Sequence, residues 1–278
     1  MTLTVTILAF LVAVAAAVRS TWSPCGLSML STITPFGERA KGHRYWATAT
    51  WFVLGATIGG LVLGGATALL AAMVDVVGLT PTTVGTVGLV AASVAFVSDT
   101  GMAHVRLPIH CRQVNERWLD AYRPWVYGAG FGFQIGTGVA TYITTAAVYL
   151  VVVLGALTGM PATALVIGGV FGLARGVAVT LTRRVSTPSA LIAFHQRFVA
   201  TRSRADAGVF IALASTVLVL AVAVGSVPAA VALVAVAGCT VFIRGTRRHL
   251  HRGEELDGAV ESTNGLVAEV LHPSAVVG

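Results

Sequence analysis

Seven long apolar runs, at roughly residues 3–35, 46–73, 82–98, 126–157, 162–182, 207–224 and 228–243, follow one another with polar loops between them. A helix needs ~20 apolar residues to cross a bilayer core ~30 Å thick, whereas a membrane strand needs only ~9–11. Backbone groups in lipid must find partners within the chain, which leaves only helix bundles and closed barrels. The runs are too long for barrel strands. The expected fold is therefore an all-α polytopic membrane protein with six to seven transmembrane helices. A charged fraction of 10% against 56% hydrophobic residues excludes a water-soluble domain of this length.

The net charge of +7 rests almost wholly on arginine, with Lys41 the only lysine. In a soluble protein such a balance would suggest nucleic acid. Here the basic residues other than Arg19 and Arg175 fall in alternate loops, 38–44, 99–123, 183–204 and 244–252, while 75–82, 159–161 and 225–228 carry none. That is the positive-inside pattern, and it predicts a cell (inner or plasma) membrane protein with its N-terminus outside and its C-terminus cytoplasmic. The bilayer is the expected partner; no nucleic acid is. Leu3 to Val18 has the length of a signal-peptide core but lacks a charged flank, so it reads as a mature membrane helix. Residues 1–243 form the expected membrane domain. Residues 244–278 read as a solvated cytoplasmic tail, whose composition after Arg252 shifts to Glu254, Glu255, Asp257 and Glu261 among Gly and Ser.

Two runs are too long for one straight crossing. The first carries Ser23-Pro24-Cys25-Gly26, where proline removes a backbone donor and restricts the residue before it. Ser23 then reads as N-cap, Pro24 as first residue and Cys25 as second residue of a new half-helix. This places the thiol at the positive end of a helix dipole, which suits a nucleophile. The fourth run carries Gly132-Phe133-Gln134-Ile135-Gly136-Thr137-Gly138. An offset of 111 residues sets Cys25 against Gly136. Three crossings separate the two breaks, which predicts an inverted 3+3 repeat, 3–98 and 126–224, with 228–243 as an extra helix and a site where the breaks face each other.

The broken first helix with its Ser-Pro-Cys centre, the basic loop after it and a second broken helix three crossings later resemble the cytochrome c biogenesis protein CcdA and the transmembrane domain of the DsbD family. That resemblance implies thiol-disulfide exchange across the membrane through Cys25, with a thioredoxin-like or other thiol protein as partner. It also marks a departure, since Gly136 stands where the family carries its second redox cysteine. Cys111, flanked by His110 and Arg112, is then the other candidate catalytic thiol. A small-solute or ion transporter of the same architecture and a non-catalytic membrane assembly subunit are the alternatives.

Arg19, Ser23, Pro24, Gln134, Gly136, Thr137 and Arg175 are the residues expected to line the site. Arg175 is singled out because a charge inside an apolar run is costly, although its stem could also carry it to the cytoplasmic interface. Thr141, Tyr142, Thr144 and Thr145 offer hydroxyls to neighbouring helices or to a polar path. Cys239 reads as packing. His104, His110 and Cys111 lack paired ligand spacing, so no metal and no cofactor are expected.

Overall fold

The computed structural model describes residues 1–101, 123–138 and 143–226, together with 231, 233–235 and 238. Every regular element among them is helical: α1 (Thr2–Ser20), α2 (Pro24–Thr32), α3 (Pro35–Ala40), α4 (Tyr45–Val77), α5 (Pro81–Thr100), α6 (Pro124–Gly136), α7 (Ala147–Leu157), α8 (Pro161–Val177) with a 3₁₀ extension (Ala178–Thr182), α9 (Pro188–Ala200) and α10 (Arg202–Val224). All belong to one compact unit, Met1–Val231. Of the second unit, 232–278, only 233–235 and 238 are described, as helix.

Helix boundaries follow from proline and hydroxyl chemistry. Six of these ten helices, α2, α3, α5, α6, α8 and α9, begin on proline, whose missing N–H would have had no intrahelical partner there anyway. In four of these the preceding Ser23, Thr34, Thr80 or Thr187 accepts a hydrogen bond from the backbone of the first turn. At the other end, Gly78, Gly101 and Gly225 adopt the left-handed conformation that stops α4, α5 and α10.

Five stretches are long and apolar enough to cross a membrane: Thr2–Ser20, Tyr45–Val77, Pro81–Thr100, Pro161–Thr182 and Pro188–Val224. The side chains agree with a lipid solvent. On α1, Leu3, Ile7, Leu11, Val14 and Val18 are exposed at helical spacing while Ala9, Ala13, Ala16 and Ala17 are buried. Bulk faces outward and small residues face the bundle, the arrangement expected where close helix packing replaces hydrophobic collapse.

Around α4 the packing is backbone against backbone. A methyl group added at Gly55 or Gly59 would meet the carbonyl of Ala129 or Phe133, so α4 and α6 run parallel. Additions at Gly60 and Gly64 would meet Gly168 and Leu165, so α4 and α8 run antiparallel. Elsewhere α1 packs on α7, α8 and α10, and α5 packs on α10 and α7.

The first break falls in the sequence where it is expected, between Ser20 and Pro24, but not in the middle of a crossing. With 19 residues, α1 is about 28 Å long, enough to cross a bilayer core unaided. The break at Thr21–Ser23 therefore falls at the end of a complete span. Trp22 beside it stacks on Phe198 of α9 at 4.4 Å and donates its indole N–H to the Phe198 carbonyl at 2.8 Å. The fourth run is interrupted within its length: α6 and α7 have 13 and 11 residues, about 20 and 16 Å, and neither crosses alone. Gly132 lies inside α6 and Gly136 is its last residue, pressed against the carbonyls of Phe52 and Ala56, so the helix ends within the glycine-rich stretch and not at its start. Cys25 opens a helix and Gly136 closes one, so the 111-residue offset does not align equivalent positions.

Candidate functional site

The interruptions leave helix ends inside the protein, and helix ends carry unpaired N–H and C=O groups with partial charge. Three sets of polar side chains gather around such ends.

The first centres on Arg175, in the last turn of α8, which is 3% exposed. Its Nη1 donates to the carbonyl of Ile135 at 2.6 Å, one residue from the end of α6, and its guanidinium lies 5.7 Å from the Phe171 ring centroid. A cation at the negative end of a helix satisfies an orphan carbonyl and the dipole together. Arg175 also lies within electrostatic reach of Cys25, itself 2% exposed in the first turn of α2. Arg175 is therefore not a snorkelling residue. Ser23 accepts from the Gly26 N–H at 3.1 Å with Pro24 as first helical residue, as expected. Gly26 must stay glycine, because a Cβ there would lie 2.2 Å from the Thr21 carbonyl oxygen. Thr137 donates back to the Gln134 carbonyl at 2.8 Å, and the Gln134 side chain is half-buried. Cys25, Ile135 beside Gly136, and Arg175 thus share one region.

The second set belongs to the other side of the interruption. Asp99, near the end of α5, accepts from the Ala146 N–H at 2.6 Å and from the Thr145 hydroxyl, at the start of α7. A carboxylate from one helix thereby caps the N-terminus of another. Arg19 lies within electrostatic reach of Asp99 and pairs with Asp206 of α10, which Arg202 approaches at 3.9 Å. Its Nη1 is buried with no hydrogen-bond partner among the described residues. Arg19 therefore ties α1 to α10 through its ion pair with Asp206.

The third set surrounds Glu38 of α3, 1% exposed. Tyr127 of α6 places its hydroxyl 2.6 and 2.7 Å from the two carboxylate oxygens, and Thr48 of α4 donates to Oε2 at 2.5 Å. Nδ1 of His43 stands 3.9 Å from Oε2. Glu38, Tyr127, Asp99 and Asp206 are absent from the residues singled out in the sequence. Basic neighbours mask Glu38, yet an acid set between Thr34-Pro35 and Tyr45 at the edge of two apolar runs is a usable signal.

Cys111, His104, His110, Thr141, Tyr142 and Cys239 lie outside the described residues, as do most of 228–243 and the tail after 244. Among the described residues no three His, Cys, Asp or Glu side chains converge as metal ligands.

Five curated relatives match the chain, and all are named methylamine utilization protein MauF. The protein from Paracoccus versutus is 32% identical over 176 residues, 62% of this chain and 63% of that protein. The one from Paracoccus denitrificans is 28% identical over 210 residues, 75% and 76%. That from Methylophilus methylotrophus is 27% identical over 208 residues, 72% and 71%. The match thus spans a little under two thirds of the Paracoccus versutus protein. No family model matches, and no solved structure matches.

These relatives overturn the resemblance to CcdA and DsbD, and with it the thiol-disulfide carrier, the cytochrome c biogenesis role and the thioredoxin-like partner. The geometry supplies a reason at one of the two positions. A Cβ at residue 136 would lie 2.0 Å from the Ala56 carbonyl oxygen, so this backbone has no room for a cysteine facing Cys25.

Proposed function

We propose that this protein is an integral-membrane component of methylamine utilisation. The observation that carries the reading is the similarity to proteins named for that process, which extends over 75% of this chain in the Paracoccus denitrificans comparison. The buried polar sets support a working rather than a purely space-filling bundle, because charges held within an apolar bundle are costly and are retained where they bind, orient or brace something. In this reading Arg175, Ile135 to Thr137 and Cys25 line one internal site, with Ser23 and Pro24 fixing the helix that presents Cys25. Arg19 and Asp99 brace the opposite end of the interruption.

The topology belongs to the same proposal: N-terminus outside, C-terminus cytoplasmic, and an inverted 3+3 arrangement of α1–α5 and α6–α10. Neighbour relations support it, since α4 packs on α8, α5 on α10 and α1 on α7, each element against its counterpart in the other half. The test is deletion of the coding sequence in its own host. Growth on methylamine should be lost while growth on an unrelated carbon and nitrogen source continues, and plasmid-borne wild type should restore it. Undiminished growth on methylamine would sink the reading.

A further inference from the structure

Glu38 presents a carboxylate that the fold has taken out of water and cradled between neutral donors. Among the described residues its hydrogen-bonding companions are two hydroxyls, from Tyr127 on α6 and Thr48 on α4. A hydroxyl donates to a carboxylate and equally accepts from a carboxylic acid, so this cradle satisfies either protonation state.

His43 supplies the route. Its Nδ1 is buried, has no hydrogen-bond partner among the described residues and stands 3.9 Å from Oε2, while the side chain is 30% exposed. One ring therefore spans from the carboxylate to the surface. The residue is held at that station by its backbone N–H, which donates to the Glu38 carbonyl at 2.8 Å, after a turn in which Gly42 adopts a φ of 73°. Closing about 1 Å by a small ring rotation makes a normal hydrogen bond. Among the described residues the charged groups that flank these helix starts, Arg39, Lys41, Arg44 and Arg123, are exposed, with Lys41 Nζ 5.6 Å from the Tyr127 ring centroid.

We propose that Glu38 is a reversible proton-binding site, loaded from the aqueous face through His43. Water protonates the exposed side of the imidazole, Nδ1–H passes its proton to Oε2, and the imidazole is left neutral as the other tautomer. The new carboxyl O–H then donates to the oxygen of Thr48 or Tyr127, whose own hydroxyl turns from donor to acceptor. No electron moves, and the reverse sequence returns the proton.

The test uses the full-length protein in phosphatidylcholine and phosphatidylglycerol vesicles, treated with dicyclohexylcarbodiimide, a lipid-soluble reagent that attacks carboxyl groups in their protonated form. Mass spectrometry should find an adduct on Glu38 that declines as pH is raised. Infrared spectra should show a protonated-carboxyl band that is absent in Glu38→Gln, and transfer to heavy water should shift that band about a hundredfold more slowly in His43→Ala, the scale of a lost acid–base relay. If Glu38→Gln fails to fold, the adduct map on the wild type decides. No Glu38 adduct at any pH where the protein stays folded and monodisperse overturns the site. Exchange unchanged in His43→Ala overturns the route.

Discussion

Arg175 shows how one side chain can be dictated by a helix end. Its guanidinium answers the Ile135 carbonyl at 2.6 Å near the terminus of α6. Replacing it by leucine removes a buried charge but leaves that carbonyl without its donor, a loss of about 1–3 kcal/mol. Arg175→Leu is accordingly expected to lower the thermal midpoint of the purified protein in detergent, and an unchanged midpoint would show that water replaces the guanidinium. Glycines divide as sharply. Gly136→Ala sets a methyl 2.0 Å from the Ala56 oxygen, a backbone atom that cannot swing aside, and should cost about 1–3 kcal/mol. Gly65→Ala on the same α4–α6–α8 assembly meets nothing within 4 Å and should stabilise by up to about 1 kcal/mol through helix propensity. The pair is checked by parallel melting curves, and equal effects would disprove the packing argument.

At the scale of elements, the interruption between α6 and α7 persists because both of its ends are answered from other helices, Arg175 from α8 on one side and Asp99 from α5 on the other. Asp99→Ala should therefore cost about 1–2 kcal/mol, the usual worth of a cap, and Asp99→Asn less, since an amide oxygen still accepts from Ala146. Thermal melts of the two variants decide whether charge or hydrogen bonding dominates. The helices themselves are legible in the sequence: Ser23-Pro24 marks a start, and the apolar runs mark α4, α5 and α8 closely. What escapes is informative. The 183–204 segment reads only as a basic loop, yet it contains α9, whose Phe194 and Phe198 face inward and whose Thr187-Pro188 opening repeats the Ser23-Pro24 device. The glycines of 132–138 read as breakers because glycine weakens an isolated helix; here close contact with α4 keeps Gly132 helical, and the helix ends only at Gly136, before Gly138 at a φ of 71°. Asp99 cannot be found from spacing, because a cap supplied by a distant helix leaves no local pattern.

For the whole molecule the open physical question is orientation, and the structure sharpens it. Tyr45, Trp46, Trp51 and Trp125 cluster at the starts of the parallel helices α4 and α6, with Trp51 and Trp125 6.1 Å apart. Trp46, Trp51 and Trp125 are all more than 40% exposed, as an aromatic belt at a membrane–water boundary requires. The basic residues Arg39, Lys41, Arg44 and Arg123 flank the same ends. Aromatic anchors suit either face of a membrane, but arginine and lysine in short loops favour the cytoplasmic one. At its far end α4 reaches Gly78 and the turn into α5, where Asp75 is the only charge between Arg44 and Asp99. With 33 residues, about 50 Å, α4 exceeds the bilayer core and carries that turn clear of it. In a variant with its native cysteines replaced, a cysteine introduced at Leu79 should therefore react with a membrane-impermeant maleimide on intact cells, whereas one introduced at Arg184 should react only after the membrane is opened. Both sites flank helices of the same bundle, so the opposite result would invert the whole protein, place the basic loops outside, and remove the cytoplasmic orientation that loop charge predicts.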